Sequence, residues 1–86
     1  MKHQTQKINS QEELDSLLNN IQEGDSLDCF VQLNYGLRGS KAISSLDNGD
    51  YYILNEVDDS EEIIEHDKLM DSFIGKAMKD GALYKW

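Results

Sequence analysis

Three kinds of side chain in this sequence could do chemistry: one thiol, Cys29; two imidazoles, His3 and His66; and 17 carboxylates set against 8 Lys and Arg side chains. A nucleophilic thiol needs a base or cation beside it to lower its pKa. Cys29 instead lies between Leu27 and Val31 on the apolar parity of an alternating run. Desolvation there raises a thiol pKa, so packing is its expected role. His3 lies near the start of the chain and His66 stands between Glu65 and Asp67, neither at a triad spacing from a Ser or Cys. No catalytic residue is expected, and the chain does not read as an enzyme.

Clustered carboxylates suit hard cations, but an EF-hand loop needs oxygen ligands at alternating positions, glycine at the sixth and glutamate at the twelfth. Neither Asp47-Asn48-Gly49-Asp50 nor Asp58-Asp59-Ser60-Glu61-Glu62 has that order. Weak divalent-cation adsorption at 58–62 is the most that run suggests. The sequence has no Walker glycine loop and no Cys-His cluster with zinc spacing. No cofactor or dedicated metal site is expected.

The acids therefore invite another explanation. Residues 42–67 hold nine of them and no Lys or Arg, while the remaining segments nearly cancel, so this tract carries the net charge of −9. Several have local roles. Asp47 and Asp50 flank a turn, Asp67 is a candidate helix cap, and Glu12, Glu13 and Asp15 lie in a first helical turn that favours negative charge. Glu56 is expected to pair with Lys41. Asp58, Asp59, Glu61, Glu62 and Glu65 have no balancing charge nearby in sequence. With Glu56 they form the candidate partner-binding set, and a strand through them would place Glu56, Asp58 and Glu62 in a line on one face.

The elements that position these residues follow from periodicity. Leu14, Leu17, Leu18 and Ile21 fall on one helical stripe, Ser10 and Glu13 make a capping box, and Gly24 can terminate the helix, predicting a helix over 11–23. Leu27, Cys29, Val31, Leu33 and Tyr35 alternate as a half-buried strand, with Phe30 outward, and residues 35–40 read as a turn or bulged entry to the next strand. Asn48-Gly49 predicts a two-residue hairpin joining strands over 41–46 and 51–57, pairing Leu46 with Tyr51, Ile43 with Leu54 and Lys41 with Glu56. One of Tyr51 and Tyr52 must face the core, and the outward one is a candidate for interface duty. Residues 61–66 suggest a short edge strand.

Leu69, Met70, Phe73, Ile74, Ala77 and Met78 predict a C-terminal helix stopped by Gly81, capped by Asp67 or, after a short turn, by Asp71 or Ser72. Gly75 within it leaves room for close packing. The tail 82–86 reads as a terminal strand, with Trp86 closing the core edge. The expected fold is α+β: an N-terminal helix, an antiparallel three- to four-stranded sheet, a C-terminal helix and a short terminal strand, in a single domain over 1–86 with 1–9 as a flexible tail.

At 86 residues the core is thin. A single cysteine favours a reducing, cytoplasmic setting, and the start of the chain lacks the apolar stretch of a signal peptide. The net charge repels phosphate and anionic lipid, which argues against direct nucleic-acid or membrane binding and for a partner protein with a basic surface. In size and charge alone, the chain resembles small acidic phage and mobile-element proteins that antagonise DNA-handling enzymes. The docking itself is expected from the line of Glu56, Asp58 and Glu62, which a Lys/Arg-lined groove that normally holds nucleic acid would meet as it meets a phosphate backbone, making the acidic surface a nucleic-acid mimic. The alternative reading is a structural or dimerising domain whose acidic loop only confers solubility, with homodimers forming through the edge strand near Ile63-Ile64. Weak divalent-cation binding is a minor one.

Overall fold

The computed structural model describes residues 5–22, 24–32 and 38–86. In chain order the elements are β1 (Gln6–Lys7), α1 (Gln11–Asn19), β2 (Leu27–Gln32), β3 (Arg38–Ser45), β4 (Tyr51–Asn55), β5 (Ser60–Ile64), a 3₁₀ helix (His66–Asp71), α2 (Phe73–Lys79) and β6 (Leu83–Lys85). The strands form one antiparallel sheet in the order β1-β6-β2-β3-β4-β5. The α+β class holds, but the sheet has six strands, where a sheet of three or four and a short terminal strand were expected.

The expected terminal strand is β6, and the strand that was not expected is β1. Residues 5–9, expected within a flexible tail, instead contribute β1, which pairs with β6, and Ile8, which is fully buried and donates its amide to the Leu83 carbonyl at 2.9 Å. The C-terminal strand β6 lies between β1 and β2. Burying one isoleucine gives this short N-terminal segment about 2 kcal/mol of anchorage that no periodicity announced.

Helix α1 begins as its capping residues dictate. The Ser10 hydroxyl accepts from the Glu13 amide at 3.2 Å, and the Glu13 carboxylate accepts from the Asn9 amide at 3.1 Å, one residue before the expected Ser10 amide. Leu14 and Leu18 are buried, and Leu17 and Ile21 pack against the same core. The helix ends at Asn19, short of the expected residue 23, because the Asn20 amide turns back to the Leu17 carbonyl at 3.2 Å. Gly24 takes its positive φ of 89° later in the connection.

In β2 the expected alternation appears: Leu27, Cys29 and Val31 are buried, and Phe30 faces the other side. The expected continuation through Leu33 and Tyr35 and the first part of the turn at 35–40 lie outside the described residues, while positions 38–40 already belong to β3.

The register of the next hairpin differs from expectation by one residue. Ser45 pairs with Tyr51, Ile43 with Ile53 and Lys41 with Asn55, so the Leu46–Tyr51, Ile43–Leu54 and Lys41–Glu56 pairs do not form. The loop has three residues, not two: the Gly49 amide donates to the Leu46 carbonyl at 2.9 Å, and the Leu46 amide to the Asp50 carbonyl at 2.8 Å. Gly49 alone supplies the positive φ, 92°, as in a turn closed by a glycine bulge. A one-residue slip exchanges the faces of a strand. Tyr51 and Ile53 thus enter the core, and Leu54 moves to the opposite face.

After β5 the chain makes the 3₁₀ turn before α2, the second of the two expected arrangements. The cap of α2 is Ser72, whose hydroxyl accepts from the Gly75 amide at 3.4 Å; Asp67 lies inside the 3₁₀ segment and caps nothing. Gly75 lets the two segments meet, since a Cβ there would stand 2.4 Å from the Met70 Cα. Gly81 ends α2 at a φ of 68°.

The helices contribute Leu14, Leu18, Leu69, Ile74, Ala77 and Met78 to one core with the inward residues of the sheet. No described helix covers the other sheet face. It carries Phe30 beside Tyr84, Ala42 beside Leu54, and Tyr52 beside Ile63.

Candidate functional site

The candidate acids gather around the β4–β5 hairpin. Strand β4 ends at Asn55, and residues 56–59 turn back into β5. The turn has a local cause: the Asp58 carboxylate accepts from the Ser60 amide at 3.0 Å and the Ser60 hydroxyl at 2.7 Å, while Asp59 takes a left-handed φ of 60° that Asp tolerates better than most residues. Those two hydrogen bonds hold the Asp58 carboxyl below its ordinary pKa, with a smaller electrostatic contribution from Lys41. The Asn55 side-chain amide donates across the hairpin to the Ser60 hydroxyl at 3.0 Å and reaches the Glu62 carboxylate at 3.4 Å.

The line of anions on one strand face does not form, because Glu56 and Asp58 are in the turn. Glu56, Asp58 and Asp59 surround the hairpin end. Glu61 lies opposite Leu54 on the open sheet face, and Glu62 lies opposite Ile53 on the helix side. All five are exposed, and Val57 among them is 75% exposed. Glu65 is separate. It precedes the 3₁₀ helix, about 13 Å along the chain direction from Glu61.

None of these six carboxylates is in an ion pair among the described residues. Lys41, the expected partner of Glu56, instead bonds the Asn55 side-chain oxygen, with its ammonium 5.0 Å from the centre of the Phe73 ring. The Glu61 carboxylate raises the Tyr52 phenol above its ordinary pKa by accepting its hydrogen bond. The outward tyrosine is therefore tied to the acidic hairpin, while Tyr51 is fully buried.

A second polar constellation gathers residues far apart in sequence. The Asp15 carboxylate accepts the Tyr51 hydroxyl at 2.5 Å through Oδ1 and meets the His66 Nε2 at 3.0 Å through Oδ2. The Gln11 side-chain amide donates to the Tyr51 hydroxyl at 3.0 Å and to the His66 carbonyl at 2.8 Å, and the His66 amide donates to Asp50 at 3.2 Å. The Tyr51 and His66 rings stack at 5.4 Å. Burial, reinforced by donation to Asp15, pushes the Tyr51 phenol well above its usual range. The hydrogen bond to Asp15 is the main cause raising His66 above its ordinary 6.5. Sequence reasoning singled out Tyr51 and His66 separately and read Asp15 only as a first-turn acid. Asp15 beside the buried Leu14 was the available signal, since a carboxylate that close to an apolar stripe needs partners. Because Tyr51 is sealed from solvent, the cluster can fasten α1 to β4 and the β5–3₁₀ junction but cannot present its phenol to a substrate.

The chain matches no protein-family model, no curated protein sequence and no solved structure.

Cys29 is fully buried, and desolvation pushes its thiol up to about 12, a state opposed to nucleophilic chemistry. Among the described residues no three His, Cys, Asp or Glu side chains are grouped to hold a metal ion, and no helix is long and apolar enough to cross a membrane.

Proposed function

We propose that this chain is a non-enzymatic protein-interaction domain whose acidic β4–β5 hairpin docks in a basic groove of a partner protein, one of the kind that otherwise holds nucleic acid. The observation that carries the reading is the hairpin itself. A backbone turn fixed by Asp58 and Ser60 holds five exposed carboxylates, none in an ion pair among the described residues, around one end of the sheet. Without a partner, their mutual repulsion is a standing cost to the fold; a Lys/Arg-lined groove relieves it and loses its own counterions in exchange. Because the acids point around the turn and not along one strand face, the complementary surface is concave. A reducing, cytoplasmic setting belongs to the same reading, since the lone thiol is buried and free.

Charge also bears on the alternative of a homodimer through β5. Two copies paired antiparallel about Glu62 would set Glu62 against Glu62 and Glu61 against Ile63, and like charges directly opposite each other destabilise a ladder. The test is capture of partners from extract of the source organism at low and high salt, with the parent chain and with Glu61→Lys/Glu62→Lys as baits. The expected result is a partner with a basic groove, released by salt and absent from the variant. A variant that keeps its fold and captures the same proteins overturns the reading.

A further inference from the structure

The open sheet face carries an aromatic cluster that the core does not require. Phe30 on β2 lies between two residues of the C-terminal segment: Tyr84, its direct cross-strand neighbour, with ring centres 5.2 Å apart, and Trp86, at 4.4 Å. Trp86 does not close the core edge as expected. Its amide donates to the Asp28 carbonyl at 3.0 Å, and its side chain, 52% exposed, lies on this face, which no described element covers, beside a groove of about 500 Å³ lined also by Thr5, Gln32 and Ser40. The apolar surface continues through Ala42 and Leu54 to Ile63, which is 64% exposed.

We propose, building on the hairpin docking above, that this face is the apolar centre of the same interface. Its partner is then a protein segment that is apolar in the middle and carries Lys or Arg at its margins. Charge complementarity selects this occupant. The cross-strand rows lead from the aromatic cluster to the acids: Asp28, Ala42, Leu54 and Glu61 follow one another across four strands, and Ser40 next to Phe30 receives the Glu56 amide at 2.9 Å. Against these acids the register sets two cations on the face, Lys7 across from Tyr84 at the far edge and Arg38 across from Gln32. A second copy would bring Asp28 and Glu61 against the same acids at a net charge of −9 per chain.

Size points the same way. Five inter-strand spacings and three same-face rows give about 24 Å by about 14 Å, under half of the ~800 Å² one partner commonly contributes. The apolar centre therefore needs a polar rim, and the hairpin supplies it on one side.

Trp86 is the chain's one tryptophan and reports directly from this face. The probes are a Leu/Lys amphipathic 14-residue peptide, a Ser/Lys peptide of equal charge and a Leu/Glu peptide, each titrated at low salt with peptide anisotropy and Trp86 emission recorded. The Leu/Lys peptide is expected to bind saturably, about tenfold tighter than Ser/Lys, with a blue shift of Trp86, and Leu/Glu is expected not to bind. Phe30→Ala should weaken Leu/Lys by about tenfold and leave Ser/Lys unchanged, whereas Glu56→Lys/Glu61→Lys should weaken both. If Phe30→Ala lowers the melting temperature, Leu54→Ser on the same face replaces it.

Equal affinities for Leu/Lys and Ser/Lys, or an unmoved Trp86 at saturation, overturn the apolar centre while leaving the acidic hairpin standing. Binding that survives the hairpin reversal removes the hairpin reading and the rim with it. Parent dimers in sedimentation that Phe30→Ala dissociates, or a Trp86 shift on neutral phosphatidylcholine vesicles, assign the face to another occupant and overturn the proposal.

Discussion

Replacing Gly75 by alanine sets two magnitudes against each other. Within a helix, Ala is favoured over Gly by about 1 kcal/mol, so propensity alone predicts a more stable protein. The structure predicts the opposite. The new Cβ would stand 2.4 Å from the Met70 Cα and 2.5 Å from the carbonyl oxygens of Leu69 and Met70, all backbone atoms that no rotamer change can move away. Relief requires the 3₁₀ segment and α2 to separate by about 1 Å, loosening buried Leu69 and Ile74. Overpacking of this kind costs about 3 kcal/mol where backbone must move. The net is about 2 kcal/mol of destabilisation, from which a domain of this size loses about 8–16 °C of melting temperature. Urea unfolding followed by far-UV circular dichroism measures it. Gly75→Ala as stable as the parent, or more so, would refute the close approach and with it the packing of α2 on the 3₁₀ turn.

Three further outcomes follow from the geometry. His66, with its pKa raised mainly by Asp15 and surrounded by Asp50, Glu65 and Asp67, stabilises the fold fully below its unfolded value near 6.5 and loses that contribution as pH rises through the folded value. The stability difference between parent and His66→Gln should therefore shrink between about pH 6 and pH 8, and a difference that grows with pH contradicts the pairing. The Cys29 thiol, pushed from 9.0 to about 12, should react with a disulfide reagent at pH 8 at least about a thousandfold more slowly in the folded than in the unfolded chain. Gly49→Ala, at a φ of 92°, should cost about 1 kcal/mol in the same urea assay, and no loss would argue against the three-residue loop.

The sequence made the locally determined parts of this fold legible. Ser10 with the leucine stripe, the Leu27-Cys29-Val31 alternation, Ser72 as a cap and the edge strand after Ser60 each depend on neighbours within a few positions. The hairpin register depended on whether Asn48 or only Gly49 takes a positive φ. That choice was decided by burial of Tyr51 and Ile53 against distant helices, and it exchanged the faces of the strand. Strand β1 was hidden because its two residues acquire meaning only when β6, almost eighty positions later, pairs with them. The candidate acids were legible as a run in sequence but not in their arrangement: a turn fixed by the Asp58 side chain wraps five of them around a hairpin end and leaves Glu65 apart. The Asp15, Tyr51 and His66 cluster was unreadable for a similar reason, its members being 36 and 51 positions apart.

The docking of the hairpin is tested most directly by moving charge without changing its total. Glu56→Lys/Asp58→Lys/Glu61→Lys and the control Asp25→Lys/Asp71→Lys/Asp80→Lys each add six charges, taking the chain from −9 to −3. All six positions are exposed. Affinity of each for the partner captured from the source organism is measured across a salt series. Docking through the hairpin predicts that the hairpin variant loses binding by about a hundredfold or more while the control keeps its affinity within a few fold, with a salt slope close to that of the parent. Equal losses in the two variants would show that net charge alone governs the association, and would contradict the hairpin as its site.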